Sequence, residues 1–315
     1  MCMKVVIIGK GDMLANLIEG TLDAKCEIVG VLRYERTTLS KWKLKLRDFF
    51  KSSTELTLIK RNKIREIKCN SANSKEFQNE LLKLNTDVLL VGTWHEKLCR
   101  ETINLPVTAS VNVHPSLLPK YRGPNPYLQT ILHRETKSGL TFHLIDKNFD
   151  SGSILSQKEI EILPGDTSKE LKARTVFQAR LMCAEVLKKL EYGLIIPIEQ
   201  KQDDATYFSN IKTEDMMLDF EKETAEEIHA RIRAFHPWLP CYVTYKDKFF
   251  IPNPYQLKII SVDSNCKAGE IIDFDDKTRS ITVLCKYNKA LKMDDIKIYG
   301  HKFRKNILKR IIANS

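Results

Sequence analysis

The sequence predicts an α/β chain, a doubly wound and mostly parallel sheet followed by a smaller β-rich domain. Two observations carry this. Through about the first 200 residues, β-branched apolar runs alternate with apolar residues at helical spacing, and from about Asp203 short β-rich pieces separated by turn residues take over. At 315 residues the chain is long enough for two cores, and the pattern divides it into 1–203 and 204–315.

Lys4 to Gly9 is a β-branched strand, and Gly9-Lys10-Gly11-Asp12 turns it into a helix that runs through Leu22. Glu27 to Leu32 reads as a second strand, Lys75 to Leu84 as a helix and Thr86 to Val91 as a buried strand. The glycines after the first strand do not make a dinucleotide fingerprint, because position 14 is Leu and the second strand closes on Leu32 rather than an acid. Tight strand-to-helix packing accounts for them. In the second part, Thr224 stands at a helix start with Glu227 three residues on, a capping box, and Pro237 ends that helix. Strands are expected at Cys241 to Tyr245, Leu257 to Val262 and Ser280 to Cys285.

Apolar content of 43% and charged content of 29% are those of a globular protein, not a disordered one. The N-terminus lacks the small-residue cleavage site of an export signal, and no apolar run approaches the roughly 20 residues that span a bilayer, so a soluble, cytoplasmic chain with no membrane partner is expected. Eight scattered cysteines without a C-x-x-C pair or a neighbouring His cluster predict reduced thiols and no metal.

The net charge of +11 is unevenly spread. Arg33 to Lys68 holds twelve Lys and Arg against four Asp and Glu, and His301 to Ser315 holds five basic residues and no acid. Within the first zone Trp42, Leu46, Phe49 and Phe50 fall at helical spacing among Lys41, Lys43, Lys45 and Arg47. This basic amphipathic helix either packs on the sheet with its lysines outward or meets the phosphates of an acceptor or a membrane surface. Both zones suit a polyanion such as RNA.

The chemistry concentrates in Ser110 to Tyr127, "SVNVHPSLLPKYRGPNPY". Val111 and Val113 alternate with Asn112 and His114, so the amide and the imidazole share one face of a strand that Pro115 ends. They stand at its carboxyl edge, where open α/β sheets bind ligands. Downstream, "GLTFHLIDKNFDSGSILSQ" gives a strand through Ile145, a turn at Asp146, then Asp150-Ser-Gly before another strand. An amide that donates to an oxyanion, a His that takes a proton from an attacking amine and an Asp that orients the His suit acyl transfer. Taken singly, each also has a structural reading, and Asp150 ahead of Ser-Gly is an ordinary turn former.

"NVHPSLLPKYRG" followed by "GLTFHLIDKNFDSG" resembles the formyltransferase family, whose pattern of Asn-x-His, Ser-Leu-Leu-Pro-x-x-x-Gly and an Asp in a D-x-G loop falls on Asn112, His114, Ser116 to Pro119, Gly123 and Asp150. Asn112 and Asp150 are 38 positions apart, as that pattern expects. The resemblance implies a Rossmann-like catalytic domain that moves a formyl group from 10-formyltetrahydrofolate, as co-substrate, to a primary amine. By the same resemblance His114 assists deprotonation of that amine, Asn112 stabilises the oxyanion and Asp150 holds His114. It places the donor's pterin against Val91, Gly92, Trp94 and Leu98 and against Phe142, Leu144, Ile145 and Asp146. It assigns the acceptor to Ser116, Leu117, Leu118, Pro119 and Arg122, together with Lys41, Lys43, Lys45 and Arg47.

Glu227 to Trp238, "EIHARIRAFHPW", is similar to the opening of the small OB-like β-barrel domain that contacts tRNA in the methionyl-tRNA members. Those members imply a monomer acting on methionyl-tRNA. In place of their Pro-Asp…Gly-Arg-Gly-Lys loop, however, stands "RYERTTLSKWKLKLRDFF", and Pro124-Asn125 replaces their small pair after Arg-Gly. A dTDP- or UDP-linked amino sugar is therefore the alternative acceptor. A non-catalytic RNA-binding protein on the same scaffold is the third reading.

Overall fold

Val5, Val6, Ile7 and Ile8 are wholly buried in β1 (Lys4–Gly9), so the first strand hides both of its faces, as central parallel strands do. The computed structural model describes residues 2–34, 54–245, 248–263, 265–275 and 277–300. The stretch with Lys41, Lys43, Lys45 and Arg47, where a basic helix is expected, and the basic tail from His301 lie outside the described residues. After β1 come α1 (Gly11–Asp23), β2 (Glu27–Arg33), α2 (Thr54–Arg61), α3 (Lys75–Lys83), β3 (Val88–Gly92), α4 (Arg100–Ile103) and β4 (Ala109–His114). Then follow α5 (Pro126–Leu132), β5 (Lys137–Leu144), β6 (Ile154–Glu161) and the long α6 (Ser168–Glu191).

The first six strands form one sheet in the order β2-β1-β3-β4-β5-β6. β1 pairs in parallel with β2 and β3, and β3 with β4, whereas β5 runs antiparallel to β4. The sheet is thus mixed and mostly parallel. One face carries a core of Val6, Ile8, Leu32, Phe77, Leu81 and Leu89. Gly9 and Gly92 end neighbouring strands with no room between them, since a Cβ on Gly9 would lie 2.2 Å from the Gly92 carbonyl oxygen. That contact accounts for the glycine that ends β1 without any nucleotide.

The chain divides into two compact units. The first gathers Met1–Gly123, Gly139–Ile160 and Ala173–Tyr207, and the second Pro124–Ser138, Glu161–Lys172 and Phe208–Ser315. Two excursions from the first 203 residues thereby join the second unit, where α5 packs on α7 (Ala225–Phe235). The remaining strands are β7 (Val243–Tyr245), β8 (Lys248–Ile251), β9 (Leu257–Ser261), β10 (Ile271–Asp275), β11 (Ser280–Leu284), β12 (Lys289–Met293) and β13 (Lys297–Gly300). They pair antiparallel as a four-stranded sheet, β10-β11-β12-β9, and a three-stranded one, β13-β8-β7. Where a barrel is expected, the described residues form two antiparallel sheets without closure.

The helix α7 starts as its sequence requires. The Thr224 hydroxyl accepts from the Glu227 N–H at 3.2 Å, and the Glu227 carboxylate accepts from the Thr224 N–H at 2.8 Å. Thr224→Ala leaves the Glu227 N–H without its acceptor and is expected to cost about 1 kcal/mol in denaturant unfolding. Among the described residues no helix is long and apolar enough to cross a membrane. All eight cysteines are free, and burial pushes the Cys183 thiol up to about 12 and that of Cys26 to about 11.

Candidate active site

Strand alternation brings Asn112 and His114 to one face of β4, and the antiparallel register sets His143 of β5 directly opposite Asn112. His114 and His143 are both buried, at 5% and 2% exposure, so each ring nitrogen needs a protein partner. His143 Nδ1 donates to the Leu144 carbonyl at 2.8 Å, which leaves Nε2 as acceptor, and Asn112 Nδ2 donates to it at 3.0 Å. The partners assign this tautomer. The second Asn112 N–H goes to Asp150 Oδ1 at 3.2 Å, an orientation fixed because a flipped amide would face oxygen against carboxylate.

Asp150 enters from the loop after β5 in the left-handed region, at φ +54°, where Asp is one of the few side chains tolerated. Its Oδ2 accepts from the Gly123 N–H at 2.9 Å, and its Oδ1 lies 3.4 Å from His114 Nδ1 and 3.6 Å from His143 Nε2. Gln200 clamps the loop from behind, donating to the carbonyls of Asp150 and Gly152 at 2.9 and 2.7 Å. Gly152 is obligatory here, since a Cβ would stand 1.9 Å from the Leu144 carbonyl oxygen. Gly152→Ala is expected to displace Asp150 and cost about 10²-fold in turnover, because a catalytic group moved by an ångström loses that much. Steady-state kinetics on the folded variant check this.

His114 donates Nε2–H to the Tyr121 carbonyl at 2.8 Å, leaving Nδ1 as the basic nitrogen, aimed toward Asp150. Burial pushes the His114 pKa down and outweighs the opposing pull of Asp150 and the Tyr121 carbonyl, and the Arg122 charge pushes it down further. For Asp150, burial pushes up, but His114 and the Gly123 N–H bring its carboxyl down to about 2. The resting site is a charged carboxylate beside a neutral imidazole whose open nitrogen faces it. A proton gained at Nδ1 turns the 3.4 Å contact into an ion pair.

The structure thus brings Asn112, His114 and Asp150 together, gives Gly123 of the motif a part through its N–H, and adds two partners that the sequence reading did not name, His143 and Gln200. The neighbouring loop departs from expectation. Ser116 and Leu118 are at 0% and 3% exposure, with the Ser116 hydroxyl donating to the Lys120 carbonyl, so these side chains build the loop and offer no surface to an acceptor. Leu117 fills the space over Gly139, and Pro119 is half-buried. Arg122 lines a cavity beside Asp150.

Of the residues expected around the donor, Val91 and Leu98 belong to the sheet core and Phe142 is wholly buried, which leaves their backbone for contact. Trp94 and Ile145 are partly buried at the margin of that core, and Leu144 and Asp146 are half-buried at the end of β5, beyond buried Gly92 at the end of β3. Among the described residues no group of His, Cys, Asp and Glu could hold a metal ion.

A family model described as formyl transferase matches residues 3–187, and one described as formyl transferase, C-terminal domain, matches residues 210–305. A methionyl-tRNA formyltransferase of Thermotoga maritima is 31% identical over 233 residues, 74% of this chain and 72% of that protein. One of Caldanaerobacter subterraneus subsp. tengcongensis is 33% identical over 228 residues, 72% of each. Among solved structures, an N-formyltransferase from Helicobacter canadensis in complex with folinic acid and dTDP-3-aminofucose aligns with a TM-score of 0.66 at 19% identity, covering 93% of this chain and 99% of that one. At that identity the likeness is one of fold.

Proposed function

The chain belongs to the formyltransferase family, and from that premise we propose that it moves the formyl group of 10-formyltetrahydrofolate to the α-amine of methionyl-tRNA. The observation that carries the reading is the buried charge arrangement at the edge of β4, where a neutral His114 faces an ionised Asp150 across 3.4 Å.

The acceptor nitrogen attacks the formyl carbon, and a proton passes from that nitrogen to His114 Nδ1. Asp150, already ionised, stabilises the imidazolium as it forms. The carbonyl oxygen gains negative charge in the same step. Asn112 meets it with the N–H that otherwise goes to neutral His143, because its bond to the Asp150 carboxylate is charge-assisted and the stronger of the two. Collapse breaks the bond from carbon to the donor nitrogen, which takes the proton back from His114 Nδ1 as tetrahydrofolate leaves, so that His114 returns to its neutral form. The donor lies along Val91 to Leu98 and Phe142 to Asp146. Residues 204–315, with their antiparallel sheets and basic tail, bind the acceptor, and the protein acts as a cytoplasmic monomer.

One observation favours a second reading. The stretch from Arg33 to Lys68 is basic but lacks the loop expected of methionyl-tRNA enzymes, which suits an amino sugar carried on a nucleoside diphosphate. Incubation with donor and each acceptor in turn decides between them. Formylation of methionyl-tRNA alone supports the lead. Formylation of a dTDP- or UDP-linked amino sugar without methionyl-tRNA overturns it, and turnover of neither leaves the non-catalytic RNA-binding reading.

A further inference from the structure

We propose that the cavity beside Asp150 is a phosphate site for the acceptor, with Arg122 and Lys97 as its cations; the assignment rests on the reading of the protein as a formyltransferase. The cavity holds about 480 Å³ and is lined by Lys97, Arg122, Phe149, Ser151, Gln202 and Tyr207 among others.

Arg122 is nine-tenths buried, yet its guanidinium is held by neutral groups. Nε and Nη2 donate to Gln200 Oε1 at 3.2 and 2.7 Å, and Nη1 donates to Gln202 Oε1 at 3.0 Å. Among the described residues no carboxylate pairs with it. A buried cation without a counter-charge is costly, so fixing one on a cavity wall is useful where an anion arrives. The fixing is thorough. Gln200 is itself tied to the Asp150 and Gly152 carbonyls, and Gln202 Nε2 donates to the Gln200 carbonyl at 3.2 Å. The guanidinium fork is therefore set in place by the loop that carries Asp150.

Lys97 supplies a second positive charge, with its Nζ 5.8 Å from the centre of the Phe149 ring. Asp146, a carboxylate on the same wall, is turned to the Ser151 hydroxyl at 2.8 Å and the Asn148 N–H at 3.0 Å, so its oxygens are engaged within their own loop. Phe149 and Tyr207 are half or more exposed and offer ring faces. Two cations exceed what one carboxylate needs. Together with stacking faces and room for more than an inorganic ion, they fit a phosphodiester or pyrophosphate that carries a nucleoside. The 3′ end of a tRNA and a nucleotide-linked sugar share this chemistry.

Lys97→Gln and Arg122→Lys test it, the first at an exposed position that keeps the fold even if the second does not. KM for the acceptor is expected to rise about tenfold in each, the worth of a lost charge-assisted phosphate contact, while KM for the donor, which is assigned the backbone of Val91 to Leu98 and not the Lys97 side chain, is expected to stay within about twofold of the parent. Running both acceptors tells which phosphate source uses the site. A rise in donor KM with acceptor KM unchanged would assign the cavity to the donor's carboxylates and overturn the proposal, and so would two unchanged KM values. If the parent formylates neither acceptor, the reading of function fails by itself. The cavity is then judged by inorganic pyrophosphate. Stabilisation of the parent against heat that Lys97→Gln loses supports the site, and equal stabilisation of both refutes it.

Discussion

Asp150→Asn is expected to lower kcat about 10³-fold while the protein stays folded, a loss in the range seen when a charged orienting group or an oxyanion donor is removed. The substitution isolates charge. Asp150 sits at φ +54°, a conformation Asn adopts as readily as Asp, so the backbone of the loop has no reason to move. What changes is the stabilisation of His114 once protonated, since Oδ1 at 3.4 Å from Nδ1 is the nearest negative charge. An amide nitrogen placed there also faces the Asn112 N–H, or faces the Gly123 N–H if the side chain turns over, so one of two hydrogen bonds is lost in either orientation. Thermal unfolding separates this from collapse. The carboxyl titrates at about 2 in the fold against 3.8 ordinarily, so its contribution to stability is complete above about pH 4 and disappears as pH falls toward 2. A kcat within tenfold of the parent would remove Asp150 from the catalytic group.

The second large effect concerns His114 and pH. The residue must be neutral to accept a proton, and burial holds its pKa below the ordinary 6.5. The acid limb of kcat/KM for the donor, measured with acceptor saturating, is therefore expected to inflect below pH 6.5, with activity lost as pH falls through that point. His114→Ala is expected to abolish this limb and lower kcat by about 10² to 10⁴-fold, the usual contribution of a positioned base. A limb at or above 6.5, or one that survives His114→Ala, contradicts the assignment.

Much of this site is local in the chain. The alternation Val111-Asn112-Val113-His114 sets two polar groups on one face of β4 because strand side chains repeat every two residues, and the capping box at Thr224 needs three residues of context. The β-branched run of β1 and the helical periodicity of α1 are equally self-contained. His143 was hidden because its part depends on register. In "GLTFHLI" it is one more residue of an apolar strand, and only the pairing of Asn112 with His143 turns it to the site. The shared face of Thr141 and His143 on β5 is the one signal the sequence offers. Arg122 gained its place from Gln200 and Gln202, some 80 positions away, and nothing local announces that clamp. The same holds for the second unit, where α5 joins α7 across a long stretch of sequence and the β-rich pieces assemble into two antiparallel sheets.

The central claim is formyl transfer through the Asn112, His114 and Asp150 group, and following the formyl carbon tests it most directly. With 10-formyltetrahydrofolate labelled in its formyl group and methionyl-tRNA as acceptor, the label is predicted to appear on the methionyl α-amine, one equivalent for each tetrahydrofolate released. His114→Ala is predicted to slow that transfer at least about 10²-fold. Label that stays on the folate or emerges as free formate in the presence of methionyl-tRNA, or that moves equally fast in His114→Ala, would contradict the account.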